Sequence, residues 1–211
     1  ALIGKAARGA MIHALNPAAR AAGLHRGQTQ ADALAMIPAL TCRPADLEAD
    51  RSALESLALW AERWSPAVSL SASDDGLDGI CFDMTGAAHL FGGTAALPDR
   101  IGARLAEAGI AARVAVAPTT GAAWALARYG DPERRTLSVD DDSLRASLAG
   151  LPVEALRIGT DTTVEARRFG LKRIGDLYPM PRAGLARRFR DGDGVDLVRR
   201  LDQALGLSAE A

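Results

Sequence analysis

The chain has 211 residues, 48% of them hydrophobic, and 25 Lys and Arg against 26 Asp and Glu give a net charge of −1. That length and apolar content can bury the core of one large domain or two to three small lobes. The even charge balance argues against a whole chain wrapped around nucleic acid.

No run approaches the roughly 18 consecutive apolar residues of a membrane span. Residues 1–10 carry Lys5 and Arg8 with no apolar stretch behind them, so neither a membrane segment nor a signal peptide is expected and the chain reads as cytoplasmic. Cys42 and Cys81 stand far apart without a CxxC grouping, and His13, His25 and His89 do not cluster. Neither a disulfide framework nor a zinc site is expected, and both thiols read as small buried hydrophobes.

From Asn16, NPAARAAGLHRGQTQADALAMIP reads as a short helix, a turn and a second helix. Asn16 is the N-cap with Pro17 in the first turn, Gly23 makes the turn, and Thr29 with Asp32 opens the second helix before Pro38 stops it. Residues 46–64 follow as an amphipathic helix whose Leu47, Leu54, Leu57, Trp60 and Trp64 recur at helical spacing, the mark of a core-facing stripe. Pro66 ends it.

An acidic turn, SASDDGLDG, leads into the strand GICFDMT. A helix over about residues 95–109 comes next, its start marked by Pro98 and Asp99. RVAVA over residues 113–117 is a second strand, and residues 119–129 form a helix capped by Thr119 or Thr120 and stopped at Gly130. The polar run at 131–143 contains one short apolar stretch, residues 137–139, a boundary or an edge strand. The remainder reads as helical. Helices alternating with strands through the middle indicate an α+β fold, a mixed sheet covered by helices on one side.

Charge is unevenly placed. Residues 157–190 hold nine Lys or Arg against three Asp or Glu, whereas residues 1–150 hold 14 against 17. Within the basic segment, FGLKRIGDL at 169–177 has glycines bracketing a short hairpin, the pattern of a helix-hairpin-helix element. The amides of such a hairpin can face a phosphate, with Arg167, Arg168, Lys172 and Arg173 adding charge, and Gly170 and Gly175 shaping the turn. A solvated basic helix pair is the alternative reading.

Asp78 and Asp83 are five residues apart, so a regular strand points them to opposite faces and they form no simple carboxylate pair. Asp74, Asp75 and Asp78 read as a solvated turn, and Asp83, just before Thr85 and Gly86, as a turn or capping group.

Taken in order, these pieces resemble the Y-family translesion DNA polymerases, and most closely their ImuB-like branch of bacterial mutasome proteins. NPAARAAGLHRGQTQADALAMIPAL is similar to the fingers of that family. Most of a palm is matched from Leu54 through DGICFDMTGAAHLFGG and VAVAPTTGAAWALARYG, and a helix-hairpin-helix thumb from LPVEALR to LDQALG. The strings TGAAHLFGG, GAAWALARYG and RRLDQALG are those of the ImuB-like branch. The resemblance implies a right-hand architecture with a fingers-like lobe over 1–48, a partial palm over 49–145 and a helical thumb over 146–211.

It also implies an emptied active site. Nucleotide addition uses carboxylates that hold two divalent ions about 4 Å apart. The family places an Asp-Glu pair on the strand matched here by GICFDMT: Asp78 falls on the aspartate as a vestige, and Gly79 on the glutamate. The triphosphate-binding tyrosine of the fingers is matched by Pro17, leaving only Arg20 as a nucleotide-binding remnant. Thr119-Thr120 stands where active members have Asn-Lys, and Arg157 where the first thumb hairpin has its first glycine, leaving Gly159 alone. The resemblance therefore implies no catalytic residues, no resident metal and no cofactor, with Mg2+ needed only if the chain is an active polymerase after all. The partners implied are DNA, the sliding clamp, an ImuA-like protein and an error-prone replicative-type polymerase, and no membrane.

Overall fold

A computed structural model describes residues 1–6, 9–73, 76–189 and 193–210. The chain divides into two compact units, Ala1–Leu57 and Ala58–Ala211.

The first unit is built on a three-stranded sheet in the order β2-β1-β3. Strand β1 (Leu2–Ala6) pairs antiparallel with β2 (Gly9–Ala14) and parallel with β3 (Arg43–Pro44). Helices α1 (Pro17–Ala21) and α2 (Gln30–Met36) pack Ala19 and Ala33 with Ile12 and Leu24. The caps are those expected: the Asn16 side chain accepts from the Ala19 N–H, and Thr29 accepts from the Asp32 N–H. Gly23 adopts φ +88°, which a side chain would resist, and turns the chain between the helices. The two helices expected between Asn16 and Pro38 are present, and a sheet not expected from the sequence is formed by the residues on either side of them. Its strands carry apolar residues in adjacent pairs, Leu2-Ile3 and Met11-Ile12, so the alternation that marks a half-buried strand is missing.

Helix α3 (Leu47–Ala61) runs across the boundary between the units. Its stripe is only partly a core face: Trp64, just past its end, is buried, but Leu47 is 58% exposed and Trp60 is half-buried with the Arg63 guanidinium 4.8 Å from its ring centroid.

In the second unit β4 (Val68–Ser73) and β5 (Gly76–Phe82) form an antiparallel hairpin with Ser69 opposite Cys81 and Ser71 opposite Gly79. The stretch read as an acidic turn is therefore mostly strand; Asp74 and Asp75 lie outside the described residues. Helix α4 (Leu97–Glu107) buries Leu97, Ile101 and Leu105. Strand β6 (Val114–Val116) pairs parallel with β7 (Thr136–Ser138), so the short apolar run at 137–139 does become a strand. Among the described residues the strands form three small sheets in place of a single mixed sheet.

Helix α5 (Thr120–Tyr129) is capped by Thr119, whose hydroxyl accepts from the Ala122 N–H and donates to the Ala204 carbonyl at 3.0 Å. Helix α6 (Asp141–Ala149), whose first turn lies at the end of the run read as polar, starts on a capping box between Asp140 and Ser143. After it come a 3-10 turn at Val153–Leu156, α7 (Thr160–Arg168), a 3-10 turn at Ile174–Leu177, α8 (Arg182–Arg188) and α9 (Asp193–Ala204). One continuous core runs from Trp124 and Leu126 on α5 through Leu148, Val153, Leu156, Ile174, Leu177 and Leu185 to Leu197 and Leu201 on α9. At about 1.5–3 kcal/mol for each fully buried leucine-sized side chain, this cluster is the main apolar contribution to the second unit. Cys42 and Cys81 are half-buried, less enclosed than the sequence suggests.

Candidate nucleic-acid interface

The candidate hairpin begins where α7 stops. Gly170, at φ +82°, closes the helix as a Schellman cap: its N–H donates to the Arg167 carbonyl and that of Leu171 to Ala166. The chain then runs extended alongside residues 151–153, with the Val153 N–H donating to Lys172 at 3.0 Å and the Ile174 N–H to Leu151 at 2.9 Å. Gly175 sits against α6, where an added Cβ would come within 2.9 Å of the Ala149 carbonyl oxygen. Both glycines thus have packing or capping roles.

The hairpin amides are engaged as well. The backbone N–H groups of Lys172 and Arg173 donate to the Asp176 carboxylate at 2.9 and 2.8 Å. Asp176 stands where a bound phosphate would draw on them, and the following segment is a 3-10 turn rather than a helix. What this turn offers an anion is side-chain charge. Arg168, Lys172 and Arg173 are exposed; Arg167 is exposed and ion-paired with Glu154.

At the position matched to the first hairpin glycine, Arg157 holds the left-handed conformation, φ 58° and ψ 39°. Its backbone keeps the geometry that a glycine would take, while its guanidinium turns inward to Glu210 and lies 5.6 Å from the Trp124 ring centroid. The sequence marks the position only through the resemblance; the ion pair has no local signature.

The polymerase-like positions are divided between the units. In the first, Pro17 occupies the first turn of α1, and Arg20 is exposed in its last turn. In the second, Asp78 and Gly79 lie on β5; an added Cβ at Gly79 would meet only the Ser71 Cβ at 3.7 Å, an ordinary contact. Thr120 is exposed at the start of α5, while the Thr119 hydroxyl is already committed to cap and tie. Asp83 accepts the Thr85 N–H at 2.8 Å, as a turn-closing group should, and hydrogen bonds from the Thr85 side chain and backbone hold its carboxyl below the usual carboxylate range. Burial pushes the Cys81 thiol up, with Arg157 opposing. Among the described residues no group of three or more His, Cys, Asp or Glu gathers as a metal site. Nor is any described helix long and apolar enough to cross a membrane.

These elements define a polymerase-like α+β chain with a basic helical end. Residues 1–128 match the impB/mucB/samB family, IMS, and the chain belongs to that family. It is 47% identical over 189 residues to the protein ImuB of Caulobacter vibrioides, a match covering 90% of this chain and 39% of that protein. The chain thus spans about two fifths of the length of the curated relative. In structure it is similar to DinB from Sulfolobus solfataricus, TM-score 0.76 at 16% identity, over 100% of this chain and 60% of that one. A Y-family DNA polymerase chimera gives TM-score 0.77 at 16% identity, over 100% and 61%. The fold is that of the Y-family polymerases.

Proposed function

We propose that this chain is the fingers-, palm- and thumb-like portion, over residues 1–48, 49–145 and 146–211, of a non-catalytic, polymerase-like scaffold for bacterial translesion DNA synthesis and induced mutagenesis. The observation that carries the reading is Gly79: β5 has room for a side chain there, yet the position at which the family resemblance calls for a metal-binding carboxylate has none. Pro17 and Thr120 support it, since neither can replace the ring hydroxyl and the lysine that would hold a triphosphate. Each such contact is commonly worth a few kcal/mol of transition-state stabilisation.

In this role the chain grips DNA by charge through Arg167, Arg168, Lys172 and Arg173, around the turn that Gly170 and Gly175 shape. It works beside the sliding clamp, an ImuA-like protein and an error-prone replicative-type polymerase that performs the chemistry. The similarity to ImuB supports this assignment, and the work belongs in the cytoplasm, where the chromosome is replicated.

The similarity to DinB favours a second reading, an active Mg2+-dependent DNA polymerase. Primer extension by the intact parent protein with Mg2+ or Mn2+ separates the two. The scaffold reading expects background incorporation, unchanged by Asp78→Ala. Robust incorporation that disappears in that variant would establish the polymerase instead.

A further inference from the structure

Ala-Arg-Arg-Phe occurs twice in the chain, at residues 166–169 and 186–189. Each copy closes a helix: α7 ends on Arg167-Arg168 with Phe169 as its C-cap, and α8 on Arg187-Arg188 with Phe189. Cations in a last turn suit the helix dipole, which accounts for either pair alone. It does not account for how the copies meet. The two phenyl rings pack edge to face with centroids 5.8 Å apart, and the Arg188 guanidinium lies 4.6 Å from the centroid of the Phe169 ring. Phe189 is buried and anchors the contact, while Phe169 remains 40% exposed.

Arg168, Arg187 and Arg188 are exposed, and among the described residues none has a carboxylate partner; Arg167 is the member already paired, with Glu154. We infer that the paired Arg-Arg-Phe ends form one surface that grips the sugar-phosphate backbone of a nucleic-acid strand, with Phe169 as the residue that positions Arg188. Stacking occupies the face of a guanidinium and leaves its in-plane N–H groups free, the groups that bind a phosphate in bidentate fashion. An arginine held on a ring loses less side-chain freedom when it binds. Guanidiniums that contact phosphates carry no sequence information, so the contact is independent of sequence. The inference rests on the DNA-binding reading above, but Phe169, Arg187 and Arg188 lie outside the 170–175 turn which that reading uses.

The test is binding of the chain to a single-stranded oligonucleotide, followed by fluorescence anisotropy between 50 and 200 mM salt. Arg187→Gln with Arg188→Gln is expected to weaken binding roughly five- to tenfold per lost contact near 0.1 M salt, and to lower the slope of log K against log salt by about 0.7 for each phosphate released. Phe169→Leu should weaken binding severalfold while keeping every charge and the fold, with a melting midpoint only a few degrees lower for the lost ring contact, and Phe169→Tyr should retain both the binding and the midpoint. An unchanged salt slope in the double-Gln variant, with binding otherwise intact, overturns this surface and leaves the DNA-binding reading standing. No binding by the unaltered chain at low salt overturns both. Tighter binding to polyglutamate than to the oligonucleotide at equal salt would assign the surface to an acidic protein segment and overturn the nucleic-acid partner.

Discussion

Arg157 and Glu210 form an ion pair across 53 residues of sequence, tying the left-handed turn after Leu156 to the segment beyond α9. Arg200 donates to the same carboxylate oxygen at 3.2 Å, and an added Cβ on Gly121 would crowd both the Arg157 guanidinium, at 3.0 Å, and the second Glu210 oxygen, at 3.2 Å. Four elements therefore meet around one carboxylate.

Removing that carboxylate leaves two arginines facing each other with little water, their side chains only 22% and 26% exposed. Breaking a fully buried pair costs about 3–5 kcal/mol; partial exposure lowers the expectation for Glu210→Gln to roughly 1–3 kcal/mol. Urea unfolding should show this as a lower midpoint with an unchanged slope. Arg157→Gly should cost less than Glu210→Gln, because it relieves a left-handed residue worth about 1–2 kcal/mol of strain and leaves Glu210 with Arg200. A Gly variant less stable than the Gln variant would contradict that account.

Gly170 and Gly175 separate packing from anion binding. Gly175→Ala drives a methyl to within 2.9 Å of the Ala149 carbonyl oxygen and should lower stability by about 1–3 kcal/mol. Gly170→Ala meets no atom within 4 Å but must hold φ +82°, for an expected loss of about 1 kcal/mol. Both are read by thermal unfolding. Neither should alter the salt slope of DNA binding, since the Lys172 and Arg173 amides are committed to Asp176. A slope that falls in Gly170→Ala would show that the turn itself binds phosphate.

Where a residue's role is local, the sequence already displays it. Asn16, Thr29 and Thr119 cap their helices as their spacing predicts, because a cap needs only the next three residues. Asp83 closes its turn for the same reason. Strands β1 and β2 are hidden because their apolar residues fall in adjacent pairs, whereas β4 alternates strictly from Val68 to Ser73 and its signal is overshadowed only by the run of Ser, Asp and Gly at residues 73–76. Of the candidate site, the arginines and lysine are legible as charge, but the consumption of the hairpin amides by Asp176 and the inward course of Arg157 depend on contacts made after folding. The meeting of Phe169 with Phe189 has a trace in the repeated Ala-Arg-Arg-Phe, although the repeat alone does not place the two rings together.

Asp83 provides a pH signature. Its folded pKa is held below the ordinary 3.8 by hydrogen bonds from the Thr85 side chain and backbone, so its contribution is complete above the unfolded value and is lost as pH falls through the folded one. The group is exposed, which limits the effect to about 0.5 kcal/mol or less at neutral pH. Asp83→Asn should be slightly less stable than the parent at pH 7, and the gap should close below about pH 4. Unfolding midpoints taken from pH 7 to pH 3 decide it: a gap that widens on acidification would mean the carboxylate is not the stabilised form.

If the scaffold reading proposed above holds, Gly79 permits the sharpest test of whether one residue or several separate the chain from a polymerase. Gly79 pairs with Ser71 next to a register shift at Asp78, with no left-handed φ and only a 3.7 Å contact for a new Cβ, so Gly79→Glu should fold with a stability change within about 1 kcal/mol. The side chain is then free to supply the missing carboxylate. On the proposed scaffold reading Pro17 and Thr120 leave the triphosphate contacts unmade, and incorporation by the variant parent protein should stay at background with Mg2+ and with Mn2+. Mg2+-dependent extension gained by this single change would mean that the rest of the site is intact and that one ligand alone separates the chain from a polymerase. A variant that folds and remains inactive places the loss in the fingers-like and α5 positions as well, as expected of a palm kept for its shape.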